Sequence, residues 1–326
     1  MVIRGYLALA VFYHHAIINQ HYFQTSIWEA NNPTFYPITA RWGVVTFFMI
    51  TGFLFWNKVI KNEGKINIES FYTARIKRLV PAYFASITLL IIIAFSYHNF
   101  QPMEGRYLFL KSILPWFAFG LLETENINQY PHTSNINAGV IWTLAFELKF
   151  YLALPFISVF WRGYAFIAML ALIYIYSFFI NDLYMLRYFA YGIATAYLLN
   201  KFNIKNLFRS KLFSIIAMLL LSGTFFVEQS NRQYLFFLFF VIVAGGNSLF
   251  SLLSNASAKL LGTISYSIYL FHGIVLFIVM HGIDQFLHVA DLNEIHFLMI
   301  TAMCGLLTVI FSAITYRFIE HPFLHR

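Results

Sequence analysis

The stretch RGYLALAVFYHH, residues 4–15, places an arginine at the start of an apolar segment and a histidine eleven positions later. Along an α-helix this separation is about 16 Å, roughly half the thickness of a bilayer. A helix that begins at Arg4 would therefore hold a cation at one membrane face and the His15 imidazole near the midplane. Polar side chains at that depth are costly and are candidate functional groups.

The composition of the chain agrees with a membrane location for this helix. Of its 326 residues, 60% are hydrophobic and only 10% are charged, whereas soluble domains carry about 25% charged residues. The apolar runs recur from one end of the chain to the other. The sequence therefore predicts an integral membrane protein built as one helical bundle, rather than a soluble domain with an anchor.

Hydrophobic periodicity predicts an all-α, polytopic bundle of about ten transmembrane helices, which we expect to form a single domain over residues 1–326. The segment 107–122 is apolar but short and contains Pro115, so we interpret it as re-entrant or as a partial span. The ten predicted spans lie near residues 5–20, 40–57, 79–97, 139–160, 163–180, 183–200, 212–228, 233–253, 262–281 and 295–316.

Charged residues between the spans predict the orientation of the chain. Lysine and arginine cluster in 58–78 and 201–211, while 123–138 and 282–294 contain acidic residues but no lysine or arginine. By the positive-inside rule, the basic loops and both termini are cytoplasmic and the acidic connections lie outside. The same clustering explains the net charge of +8 without nucleic acid as a partner. We see no cleavable signal peptide.

The motif RIKR at 75–78 places Arg75 and Arg78 on one helix face. Guanidinium groups bind phosphate through two parallel hydrogen bonds, so the pair is a candidate polyphosphate site, together with Arg4 at the same membrane face. The alternative is simple anchoring of a basic loop at the cytoplasmic surface.

Two further motifs place proton-transfer groups inside spans. The stretch WTLAFELKFY, residues 142–151, puts Glu147 within a membrane helix; the alternative role is a salt bridge to Lys149 or an interfacial position. The stretch GTISYSIYLFH, residues 262–272, offers Ser265, Tyr269 and His272 on one helix. Its serines could equally serve helix packing, and its histidine could be a structural hydrogen-bonding group.

Together these motifs resemble the membrane-bound acyltransferase 3 family, whose members O-acylate carbohydrates. The matching elements are Arg4 with His15, the RIKR motif, the Glu147 segment, the His272 segment and YRFIEHP at 316–322. Two departures are visible. Val45 stands where many members have an aspartate in the glycine-rich stretch GVVTFFMITGF, residues 43–53. Some members also carry an SGNH esterase-like domain, which we do not expect here.

The resemblance implies transfer of an acyl group, most often acetyl, from acyl-CoA to a carbohydrate hydroxyl. Arg4, Arg75 and Arg78 would hold the donor's phosphates, and His15 would be the general base, with Glu147 orienting it or handling a proton itself. His14 points about 100° away around the helix and is the weaker candidate. The possible further site residues are His14, Ser265, Tyr269 and His272.

The acceptor implied by the resemblance is a surface polysaccharide (O-antigen, capsule or exopolysaccharide) or its lipid-linked precursor. The implied location is the bacterial inner membrane, and we expect no metal ion. Two alternatives stay open at this point. A proton-coupled transporter of a small solute or lipid-linked sugar would also use buried histidine and glutamate, although we see no inverted repeats or paired broken helices. A structural membrane subunit would leave the cost of burying His15 and Glu147 unexplained.

Overall fold

The computed structural model describes residues 1–30, 35–103, 105–179, 184–202 and 204–324. Within these ranges the chain is helical and contains no strand, which confirms the all-α prediction. The longer helices are α1 (Arg4–Thr25), α2 (Phe35–Lys61), α3 (Ile68–Ser96), α4 (Arg106–Ile113), α5 (Trp142–Ile157), α6 (Gly163–Phe179), α7 (Leu186–Lys201), α9 (Lys211–Gly223), α10 (Arg232–Ala244), α11 (Ala256–Thr263), α12 (Ser265–Asp284) and α13 (Glu294–Thr315).

Short helical segments connect or extend these helices. The four-residue helices α8 (Lys205–Phe208) and α14 (His321–Leu324) lie before α9 and at the end of the described chain. Tight 3₁₀ turns occupy Leu114–Ala118, Thr133–Asn137, Ser158–Phe160 and Val289–Asp291. A π-helical turn over Tyr316–Glu320 continues α13.

Among the described residues, five helices are long and apolar enough to cross a membrane. They cover Ile38–Lys61, Ile68–Ser96, Trp142–Phe160, Ser265–Asp284 and Glu294–Leu324. Shorter apolar helices cover Tyr107–Ala118, Gly163–Ser177, Lys211–Gly223 and Arg232–Ala244. Each predicted apolar span thus coincides with a helix, and the membrane character of the chain is supported, while the ten crossings stay a prediction.

The chain divides into two compact units, and each has its own packing. The first comprises Met1–Leu7, Pro37–Ile68 and Phe146–Gly262. Here α2 and α7 approach so closely that a side-chain carbon at Gly52 would collide with the Phe189 carbonyl oxygen. Phe189 stacks on Phe48 and Phe150, with ring centroids 4.7 and 4.5 Å apart. Gly52, in the second predicted span, is thus explained by close helix packing.

The second unit comprises Ala8–Tyr36, Glu69–Ala145 and Thr263–Arg326. Its central element is α12, of which more than half of the residues are buried. On one side, Leu270, Phe271 and Ile274 pack with α3 and with the segments around Trp116 and Ile141. On another side, residues of α12 pack with the second half of α1 and with α13. The helix that carries His272 is therefore held by neighbours on several sides.

Candidate active site

The centre of the second unit holds two histidines in direct contact. His15 Nδ1 lies 3.0 Å from His272 Nε2, and the two rings stack with centroids 5.1 Å apart. His272 is fully buried and His15 is partly buried. Apolar packing of α1 against α12 and α13 fixes the backbone on both sides of the pair. The two imidazoles can thus exchange or share a proton with little movement.

The hydrogen bonds around His272 determine how the pair is protonated. His272 Nδ1 lies 2.9 Å from the Tyr269 carbonyl oxygen and 3.2 Å from that of Ile268. Carbonyl oxygens only accept, so Nδ1 carries the hydrogen and a neutral His272 presents Nε2 as an acceptor. His15 Nδ1–H then donates to it. This leaves His15 Nε2 with the free lone pair, which is the protonation state that a general base requires.

The other predicted residues near this pair have distinct surroundings. The His14 ring lies 5.3 Å from that of His15, tilted by 63°, and is buried. The Tyr269 hydroxyl lies 2.7 Å from Thr143 Oγ1 and 3.3 Å from the Val140 carbonyl oxygen, so it joins α12 to the start of α5. Ser265 is buried at the first residue of α12. The structure therefore brings His14, His15, Tyr269 and His272 together.

At the N-terminal end of α12 the second unit becomes charged. Arg75 and Arg78 lie one turn apart on α3, both partly buried. The Tyr266 hydroxyl donates to the Leu79 carbonyl oxygen at 3.0 Å and joins the start of α12 to this arginine turn. His272 lies about 10 Å further along α12. Two of the three predicted phosphate-binding arginines, Arg75 and Arg78, thus belong to the same unit as the histidine pair.

Sequence reasoning missed one acidic residue at this charged end. Glu320 is 2% exposed and accepts a hydrogen bond from Ser267 Oγ, and the Arg78 guanidinium acts on it electrostatically. It belongs to the π-helical turn, a distortion that often marks functional positions. The available signal was an acid within YRFIEHP, directly after an apolar span.

Glu147 and Arg4 belong to the first unit. The Thr51 hydroxyl lies 3.4 Å from Glu147 Oε1, which also accepts a hydrogen bond from the Tyr151 hydroxyl. Lys149 Nζ instead lies over the Phe146 ring, 5.4 Å from its centroid. Arg4 is the first residue of α1 and is partly buried. The roles assigned to both residues stay predictions.

Comparison with known proteins gives the family. The acyltransferase 3 family model, described as an acyltransferase domain, matches residues 2–317. A protein of Staphylococcus aureus (strain COL) named "Putative O-acetyltransferase" is 25% identical in an alignment that covers 88% of this chain and 54% of that protein. Nodulation protein 10 of Rhizobium leguminosarum bv. viciae is 28% identical over 142 residues, or 39% of this chain and 38% of that protein.

The chain thus spans about half the length of the Staphylococcus aureus relatives that it matches. No solved structure gives a significant match. The family match nevertheless includes all the motifs singled out in the sequence up to Arg317, and it covers nearly the whole chain. The chain therefore belongs to the acyltransferase 3 family.

Proposed function

We propose that this protein transfers an acyl group, in the first instance acetyl, from acyl-CoA to a carbohydrate hydroxyl. The observation that carries the proposal is the His15–His272 pair, whose hydrogen bonds leave one lone pair available on His15 Nε2. The family match and the names of the relatives support acyl transfer. The acceptor is a surface polysaccharide such as O-antigen, capsule or exopolysaccharide, or its lipid-linked precursor.

The proposed reaction uses His15 first as a base and then as an acid. Nε2 takes the proton of the acceptor hydroxyl while the hydroxyl oxygen attacks the thioester carbonyl carbon. The carbon–sulfur bond then breaks, and the thiolate receives the proton from Nε2 and leaves as CoA thiol. His272 Nε2 accepts from His15 Nδ1–H throughout, which orients the ring and stabilises the imidazolium that forms.

The donor's phosphates are assigned to the arginines. Arg75 and Arg78 lie on one turn of α3 and can each present two parallel N–H groups to a phosphate. Glu320 holds the opposite charge near Arg78 and is suited to fixing the direction of that guanidinium. Arg4 adds a third guanidinium to the proposed donor site. Glu147 is proposed to orient the His15 imidazolium, to stabilise its charge or to handle a proton itself.

The proposed topology has ten crossings in the bacterial inner membrane, with both termini cytoplasmic. It is supported by the basic loops at 58–78 and 201–211 and by the acidic connections at 123–138 and 282–294. In this orientation α3 and α12 begin at the cytoplasmic side, where acyl-CoA is made. A reporter inserted in 123–138 should therefore read extracytoplasmic, and one fused after residue 326 cytoplasmic. A cytoplasmic reading at 123–138 would refute this orientation.

The decisive experiment compares the surface polysaccharide of a deletion strain with that of its parent by NMR. The expected result is loss of O-acetyl signals in the deletion strain, their return with the wild-type gene, and no return with His15→Ala at equal protein level. Unchanged O-acetylation in the deletion strain would refute the proposal. An accumulated unmodified precursor on one side of the membrane would point to transport instead.

A further inference from the structure

At the C-terminal end of α12 the second unit contains a cavity of about 440 Å³, within the size range of small-molecule sites. Its walls come from the second half of α1, the end of α3, the segment 130–135 and the last turns of α12. The lining residues are Asn19, Tyr22, Trp28, Ile93, Ser96, Tyr97, Tyr130, Pro131, His132, Asn135, Phe277, His281 and Gln285.

The lining is rich in aromatic rings, and its described residues include no lysine, arginine, aspartate or glutamate. The rings of Tyr22 and Trp28 meet edge to face at 5.6 Å, and those of Tyr97 and Tyr130 at 4.9 Å. Burial, together with Tyr22 and Tyr97, raises the pKa of Tyr130 to about 12, so this hydroxyl is neutral at physiological pH. The cavity therefore suits a ligand that is polar and uncharged, with an apolar face to lie against aromatic rings.

Two amides on the cavity wall have unused hydrogen-bonding capacity. Asn19 is 1% exposed and Asn135 is 9% exposed. Among the residues that the structure describes, neither side-chain nitrogen Nδ2 has a hydrogen-bond partner. A buried donor without a partner costs free energy in the folded protein. Their position on the wall indicates that a ligand with oxygen acceptors supplies the missing partners.

The wall around Asn135 is preformed. Thr133 Oγ1 accepts from the Ile127 amide at 2.9 Å, and the Thr133 amide donates to Asn126 Oδ1 at 3.1 Å. His132, which directly precedes Thr133, has φ of 55°, which is uncommon for a residue with a side chain. Such conformations persist where the surroundings impose them and are frequent at ligand sites.

The cavity and the proposed base, His15, are connected by one face of α1. On α1, Asn19 and Tyr22 follow His15 by four and seven residues, so they lie on the same helix face, about 6 and 10 Å further along the axis. A ligand held by Asn19 would thus lie about one helical turn from His15. In the proposed topology this end of α1 faces the outside, where surface glycans are.

We propose that this cavity binds a neutral sugar residue of the acceptor, with its apolar C–H face against the aromatic rings and its hydroxyl oxygens accepting from Asn19 and Asn135. The assignment rests on the proposed function, which it extends by naming the acceptor subsite and the class of sugar. It selects against uronic acids and other anionic sugars, because neither lysine nor arginine is found among the described residues that line the cavity.

The test uses the whole chain in lipid nanodiscs and saturation-transfer NMR with the methyl glycosides of glucose, galactose, rhamnose and N-acetylglucosamine. Methyl glucuronide is the anionic comparator. At least one neutral glycoside should bind, more tightly than the glucuronide. Asn19→Leu and Asn135→Leu should each weaken that binding about fivefold, the equivalent of one hydrogen bond. Asn62→Leu, at an exposed amide, is the matched control.

Trp28→Ala, at a partly buried ring, should also weaken the binding. It tests the same cavity in case the asparagine variants do not fold. The proposal is overturned if no neutral glycoside binds, if the glucuronide binds best, or if binding persists in the cavity variants. Acetyl-CoA binding, measured on the same nanodiscs, separates the two proposals. If the wild-type protein binds a neutral glycoside but not acetyl-CoA, the acyl-CoA reaction is contradicted and the sugar subsite is still supported.

Discussion

The two ends of α12 lie in opposite chemical surroundings. At the N-terminal end, the side chains of Ser267 and Tyr266 meet Glu320 and the Arg78 turn of α3, so this end is charged. At the C-terminal end, Phe277 and His281 line a cavity whose described walls contain no lysine, arginine or carboxylate side chain. His272 lies between them, about 10 Å along the helix from its first residue.

This difference shows how one helix can serve two unlike substrates. A heavily phosphorylated donor requires guanidinium groups, whereas a neutral sugar requires aromatic faces and amides. If the donor and the sugar bind as proposed, the two kinds of surface along α12 assign them to different ends of the helix. The reacting atoms then need to meet only at the histidine pair. The two ends of α12, and the histidine pair between them, can therefore be tested separately by mutation.

Mutation of His15, the α1 partner of His272 in the histidine pair, should have the largest effect. His15→Ala removes the only lone pair that the pair directs away from itself, so the acyl-transfer rate should fall about 10²–10⁴-fold. Acetyl-CoA should still bind, because the arginines of α3 are unchanged. The measurement is transfer of radiolabelled acetyl to surface glycan in membranes matched for protein level.

His14→Ala is the control, because His14 is the adjacent histidine on a different face of α1. It should lose much less activity. Near-normal activity in His15→Ala together with an inactive His14→Ala would mean that the base is misassigned. Activity in both variants would contradict the mechanism. The activity of Glu147→Gln should fall between those of His14→Ala and His15→Ala, or should match that of His15→Ala if Glu147 and His15 act as a unit.

Mutation of His272 should have the next largest effect. His272→Phe fills a similar volume but removes the nitrogen that accepts the hydrogen bond from His15 Nδ1–H. During the proposed reaction the His15 ring is positively charged, so the lost hydrogen bond is one to a charged group. A hydrogen bond to a charged group contributes about 1.5–3 kcal/mol, so the rate should fall about 10- to 150-fold. His272→Gln keeps an acceptor oxygen and should recover part of the loss. Equal rates in the two variants would contradict the positioning role.

A smaller and more selective effect is expected at the charged end of α12. Arg75→Lys with Arg78→Lys keeps the charge and loses the forked geometry, so the KM for acetyl-CoA should rise about tenfold. The acceptor KM should not change. Lys65→Gln removes a charge from the same basic region outside the motif and should leave both constants unchanged. A rise in the acceptor KM in the double variant would break the separation of the two ends.

Sequence patterns were sufficient for the features that depend on one segment at a time. Apolar runs gave the positions of the long apolar helices, and counting along α1 and α12 gave the distance of His15 and His272 from the helix starts. Their depth in the membrane stays a prediction. Their contact depends on α1 packing against α12, which are 257 residues apart at these positions, and no local pattern encodes that. The cavity was missed for the same reason, because four separate segments form its walls. Glu320 was seen only as part of a family signature.

The number of crossings shows a second limit of sequence patterns. The predicted spans near 212–228 and 233–253 are mostly apolar, yet α9 and α10 each contain only 13 helical residues. Such a helix is about 20 Å long, which is shorter than the hydrocarbon core. Hydropathy detects apolar side chains but does not detect where a helix ends. Helix length thus separates α9 and α10 from the five long spans, whereas α1 has 22 residues and still is not one of the five.

The smallest expected effect on activity comes from a packing change in α12 itself. A side-chain carbon at Gly273 would collide with the backbone of Asn137, whereas nothing lies within 4 Å of one at Gly282. Gly273→Ala should therefore lower the free energy of unfolding by about 1–3 kcal/mol, as overpacking does. Gly282→Ala should be neutral or should raise it by up to about 1 kcal/mol through helix propensity. Thermal unfolding in nanodiscs measures both.

Because the collision involves the 3₁₀ turn before the Thr143 segment, Gly273→Ala should disturb sugar binding more than acetyl-CoA binding. The opposite order would show that the two ends of α12 are not independent.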